Sequence, residues 1–142
     1  MPRSYEVTRA IAASPEHVWA LLTDDAGYAT WNPAVISIKG PIAPGGRLSL
    51  VSSASPGRTF TPTVTAMEAP SRMVWSDAMP LGLFRGARTF TLAPAAGGTT
   101  DFHMREAFTG PLAPLISRAI PDLTESFERF ADGLKAAAEA SR

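Results

Sequence analysis

Two histidines, no cysteine and thirteen carboxylates set the chemistry open to this 142-residue chain. Without cysteine there is no disulfide, no thiolate nucleophile and no sulfur-ligated metal. His17 and His103 lie far apart and lack the HExxH spacing of a helical zinc site, so no metal is expected. Asp24 and Asp25 resemble a metal pair, but their place ahead of a short apolar stretch suits the cap of a helix. There is no GxSxG elbow, Walker loop or GxGxxG, and PGGR (residues 44–47) reads as a hairpin turn. No cofactor is expected.

The carboxylate that asks for an explanation is Glu106, within DFHMREAF (residues 101–108). On a strand, Phe102, Met104, Glu106 and Phe108 share one face, and Asp101, His103, Arg105 and Ala107 share the other. Three of the first four are large and apolar, so that face turns inward and takes Glu106 with it. His103, the more obvious proton carrier, turns outward unless a bulge flips it. A buried charge needs a partner. Setting Leu92 opposite Thr100 across the loop at 93–99 places Phe90 opposite Phe102 and Arg88 opposite Met104. Glu106 then lies diagonal to Arg88 at roughly 7–8 Å, within reach of two long side chains. The pair either braces two strands or orients the polar group of a ligand. Glu106 is also the one candidate for a general base, a weak one, because a neighbouring guanidinium favours the ionised carboxylate.

These residues need elements to position them. Residues 3–12 alternate as a first strand, with Tyr5, Val7, Arg9 and Ile11 on one side. Ser14, Pro15 and Glu16 form a helix start, followed by the apolar face Val18, Trp19, Leu21 and Leu22. A second short helix covers residues 26–31 and stops at Asn32-Pro33. Strands follow at 35–39, 47–53, 59–69, 72–77 and 84–92, then the strand of Glu106, all separated by Gly- and Pro-rich turns. LAPLISRAI (residues 112–120) forms a short helix broken by Pro121. Asp122 then opens a long one with Leu123, Phe127, Phe130, Ala131, Leu134 and Ala138 on its apolar face. Short turns between strands imply an antiparallel meander in an α+β fold: a curved sheet of about seven strands around one long C-terminal helix, with two short helices after the first strand. A strongly curved sheet leaves a gap beside a single helix, and the gap is a pocket.

The chain resembles the START-like, or SRPBCC, superfamily with its helix-grip fold, and within it the bacterial polyketide cyclase/dehydrase-type branch. The resemblance spans nearly the whole chain. It is carried by ASPEHVWALLTD (13–24), YATWNP (28–33), PGGRL (44–48), LFRGARTFTLAP (83–94) and GGTTDFHMREAFTGPLAPL (97–115). Members of that branch often carry a histidine where Arg88 stands here, and a Glu-x-Phe-x-Gly that here is Glu106, Phe108 and Gly110. The glutamate matches and the histidine does not, so an acid–base role built on an inward histidine does not transfer. The superfamily includes lipid carriers, hormone receptors, cyclases, coenzyme Q-binding proteins and co-chaperones, so fold alone does not choose among them.

The expected ligand-binding set is Trp31, Phe60, Val64, Trp75, Phe84, Arg88, Phe90, Met104, Glu106, Phe108, Leu115 and Ile116: an aromatic wall with two polar groups, the usual composition of a small-molecule pocket. The loop Pro80-Leu81-Gly82 stands where it can gate the mouth. The leading expectation is a protein that binds, transports or sequesters a hydrophobic small molecule such as a lipid, polyketide or aromatic compound. A cyclase/dehydrase-type enzyme is the alternative, and a co-chaperone-like interaction module the third. Lys+Arg and Asp+Glu number 13 each, so no overall field draws nucleic acid. No apolar run approaches the ~18 residues of a membrane span, and the opening MPRSYEVTRAIAASP lacks the apolar core of a signal peptide. A single cytoplasmic domain over 1–142, monomer or homodimer, is expected.

Overall fold

The structure, a computed structural model, describes residues 4–141. The expected start of the first strand at Arg3 lies outside the described residues. β1 (Ser4–Ile11) alternates as expected, burying Val7 and Ile11, with Tyr5 and Arg9 half-buried on the same side. Arg9 is kept there by α4 (Thr124–Ser141): its guanidinium donates to Glu128 and, at 2.9 Å, to Asp132. α1 (Pro15–Leu22) starts as its sequence requires, with Ser14 Oγ accepting from the His17 N–H and Pro15 inside the first turn. A single-turn helix (Asp25–Gly27) and α2 (Tyr28–Trp31) follow. The expectation that Asp24 and Asp25 cap this segment is corrected: neither side chain caps it, and Asp25 instead accepts from the Gly40 N–H at 2.9 Å. The orphan donor that recruits Asp25 belongs to the residue just after the strand Val35–Lys39.

The strands β2 (Val35–Lys39), β3 (Ser49–Ser52), β4 (Thr63–Glu68), β5 (Arg72–Ala78), β6 (Arg85–Ala95) and β7 (Thr99–Thr109) are antiparallel throughout. Five form a sheet in the order β1-β7-β6-β5-β4, and β2-β3 form a ribbon. Bridges at Arg47–Thr63 and Leu50–Phe60 fasten the ribbon to the chain entering β4. The strand expected over 59–69 is shorter than its pattern, since Pro62 has no N–H to donate and β4 proper begins after it. A bulge between Val64 and Ala66 then bends the edge.

The β6–β7 register also differs from expectation. Leu92 pairs with Phe102, Phe90 with Met104 and Arg88 with Glu106. Gly97 and Gly98 take φ of 73° and 74°, which closes a three-residue turn and lets both strands run to Ala95 and Thr99. The shift is two residues, so every side chain keeps its face and only its partner changes.

After α3 (Ala113–Ile116) and a further single turn, α4 lies across the concave face. Phe127, Phe130, Ala131, Leu134 and Ala138 bury against Phe90, Leu92, Phe102 and Met104, and Phe102 and Phe130 stack with planes 2° apart. Gly133 sits mid-helix because α2 leaves no room for more: a Cβ there would stand 2.4 Å from the Trp31 carbonyl oxygen. No helix among the described residues is long and apolar enough to cross a membrane.

Candidate functional site: an aromatic cavity with one ion pair

Arg88 and Glu106 leave β6 and β7 from directly opposed positions on the inner face. Arg88 Nε donates to Glu106 Oε1 at 2.7 Å, and each side chain is 17% exposed. The guanidinium carbon lies 4.8 Å from the centre of the Phe127 ring of α4, a cation–π contact that shields the pair from one side. Tyr5 of β1 stands opposite Glu106 on its other flank and packs against Phe108 and Phe127. The contact between the charges is single-point. Neither Nη nitrogen of Arg88 nor Oε2 of Glu106 has a hydrogen-bond partner among the described residues.

The pair lines a cavity of about 340 Å³, at the small end of ligand pockets. Its sheet wall is Phe60, Trp75, Phe84 and Phe108, with Phe84 and Phe108 stacked at 5.9 Å. Ile116, Ile120 and Leu123 close it ahead of α4, and Ser126 and Phe130 from within α4. Leu50 and Ser52 of the ribbon complete the other side. Arg58, 5.1 Å from the Phe60 ring centre, and Asp77 are its remaining charged lining residues, both exposed.

Seven of the twelve residues named from sequence line this cavity: Phe60, Trp75, Phe84, Arg88, Glu106, Phe108 and Ile116. Five do not. Phe90, Met104 and Val64 point inward but are sealed in the core, with the Phe90 ring 5.9 Å from that of Phe130 on α4 and Val64 hydrogen-bonded through its backbone to Gly45 and Gly46. Trp31 packs behind the cavity, 4.9 Å from Tyr28 and 5.9 Å from Phe130. Leu115, expected to close over the cavity, is 65% exposed, since on the one-turn α3 it is Ile116 that takes the inward direction. Sequence reasoning missed Ser126, Phe130 and Leu123 as lining residues, although their i, i+3, i+7 spacing places them on one helical stripe. The ribbon's Leu50 and Ser52 were missed too, because nothing local tells that β2-β3 folds over the opening.

The other titratable groups stand away from the cavity. β7 pairs without a bulge to both neighbours, so His103 faces outward, its Nε2 2.7 Å from Glu6 Oε2. That hydrogen bond holds the Glu6 carboxyl below the usual range. His17 Nε2 lies 2.9 Å from Ser141 Oγ. Burial pushes the Tyr28 hydroxyl far up, and it donates to the Leu22 carbonyl oxygen. No cluster of metal-ligating side chains occurs among the described residues.

A curved antiparallel sheet gripping a long C-terminal helix, with its cavity between them, is the START-like helix-grip arrangement. The chain belongs to the polyketide cyclase/dehydrase and lipid-transport family, whose pattern matches residues 2–139. Solved structures agree on the fold. A protein from Rhodobacter sphaeroides is 27% identical, with 98% of this chain and 93% of that one covered and a TM-score of 0.73. A START superfamily protein from Mycobacterium smegmatis is 18% identical, with 98% and 99% covered and a TM-score of 0.69. A norcoclaurine synthase point mutant from Thalictrum, in complex with a transition-state analogue, is 11% identical, with 97% and 94% covered and a TM-score of 0.71. Among curated proteins, none matches this sequence.

Proposed function

We propose that this protein binds a hydrophobic small molecule, of lipid, polyketide or aromatic type, inside the cavity between sheet and α4, and carries or sequesters it in the cytoplasm. The observation that supports this is the cavity itself: about 340 Å³ of space walled by aromatic side chains, with a single half-buried ion pair. An aromatic ligand there removes roughly 400 Å² of its own and the wall's apolar surface from water, worth about 10 kcal/mol. Association costs offset at least ~4 kcal/mol of that. The remainder corresponds to dissociation constants on the order of tens of micromolar.

A cyclase or dehydrase activity is the second reading, and the family's description favours it. Glu106 is then the cavity's proton carrier, with Arg88 its positioning partner.

Titration with the neutral fluorescent probe 1-aminoanthracene tests the first reading. Saturable enhancement is expected for the native protein and its loss for Ser126→Phe, which fills the space from the α4 side. Failure of the native protein to bind the probe would sink the ligand-binding reading.

A further inference from the structure

We propose that this cavity selects neutral, hydroxyl-bearing ring compounds over anionic ones, and that Glu106 is the residue that rejects the anion. The inference rests on the ligand-binding reading of the same cavity and deepens it. The lining charges balance, Arg58 and Arg88 against Asp77 and Glu106, so the site as a whole offers no surplus cation. The one guanidinium placed inside, Arg88, is already neutralised by Glu106 at 2.7 Å.

That contact uses Nε alone. It leaves the Arg88 Nη donors and the Glu106 Oε2 acceptor without hydrogen-bond partners among the described residues, and both residues line the cavity. A hydroxyl satisfies both at once, accepting from an Nη–H and donating to Oε2. A carboxylate only accepts. It would share Arg88 with Glu106 and set like charge against Oε2 in a half-buried, apolar setting, where such juxtaposition is strongly disfavoured. The stacked rings of Phe84 and Phe108, with Phe60 and Trp75, favour a flat ring as the apolar body. Glu106 thus sets specificity by excluding the wrong ligand as well as by holding the right one.

Competition for bound 1-aminoanthracene by 2-naphthol and by naphthalene-2-carboxylate at neutral pH tests this. The naphthol is expected to compete about tenfold more tightly in the native protein, a difference of one modest polar interaction. Because an anion is also harder to desolvate, the deciding comparison is Glu106→Gln: there the carboxylate should gain about tenfold relative to the naphthol as Arg88 is released. A native protein that binds the carboxylate as well as the naphthol overturns the inference while leaving the cavity a binding site, and this measurement needs no variant. A ratio unchanged by Glu106→Gln overturns it equally. If the probe itself does not bind, the ligand-binding reading falls and this inference with it.

Discussion

Arg88 and Glu106 face each other squarely across β6 and β7, joined by a 2.7 Å bond from Nε to Oε1, and the pair forms part of a cavity wall instead of filling the core. Truncating one partner strands a charge that is only 17% exposed. Breaking a fully buried pair costs about 3–5 kcal/mol, and the partial exposure here reduces that to about 1–3 kcal/mol for Arg88→Leu. The double variant Arg88→Leu/Glu106→Leu should recover much of the loss, because no uncompensated charge remains. Urea unfolding midpoints in a double-mutant cycle check this. Additive losses would mean that the two charges do not interact.

Gly133 in α4 offers a test in which two effects oppose each other. Alanine in a helix interior is favoured over glycine by about 1 kcal/mol. Its Cβ, however, would stand 2.4 Å from the Trp31 carbonyl oxygen and 2.8 Å from Pro33 Cδ, and neither atom is the end of a flexible chain. Overpacking should win, with Gly133→Ala destabilising the fold by about 1–3 kcal/mol and lowering Tm. A higher Tm in the variant would show that α2 can move away from α4.

Leu81 is 94% exposed and holds φ at 62°, the left-handed region that a leucine rarely adopts. Asparagine tolerates that conformation, and no buried apolar surface is lost on replacement. Leu81→Asn is therefore expected to stabilise the protein by about 1 kcal/mol, read as a raised Tm. A neutral or lower Tm would show that the left-handed backbone there costs leucine no more than asparagine.

The Glu6–His103 contact on the outer face gives a pH signature. The hydrogen bond from His103 lowers the Glu6 carboxyl from its ordinary value, so the folded state favours the ionised form. The stability it contributes is present above the unfolded-state pKa of a glutamate and is lost as pH falls through the lower, folded value. Glu6→Gln should lower Tm slightly at neutral pH and by less at pH 3, where the native carboxylate has begun to lose its advantage. Because the pair is exposed the effect is small, and added salt should shrink it. An equal Tm difference at both pH values would contradict the linkage.

Much of the fold was legible because its signals are local. Ser14-Pro15 begins a helix wherever it sits, and the alternation through β1 and β7 assigns each residue to a face before any partner is known. The assignment of His103 to the outer face and Glu106 to the inner one needed nothing but period two. It even survived a register wrong by two residues, since a slip of two preserves the face. The Asp25 contact with Gly40 was not legible, for it joins groups fifteen residues apart that no local pattern links.

Period two along a strand is enough to say which side chains point inward; how deep along the strand each one lies waits on where α4 docks. Phe90 and Met104 share a face with Arg88 and Glu106, yet the first two are sealed under α4 and the last two open to the cavity. The boundary between core and cavity runs through Phe130 of α4, which packs against Phe90 and Phe102 and also lines the cavity. A face is a property of dihedral angles repeated along one strand. A cavity is a mismatch between two surfaces, and it exists only once both are placed.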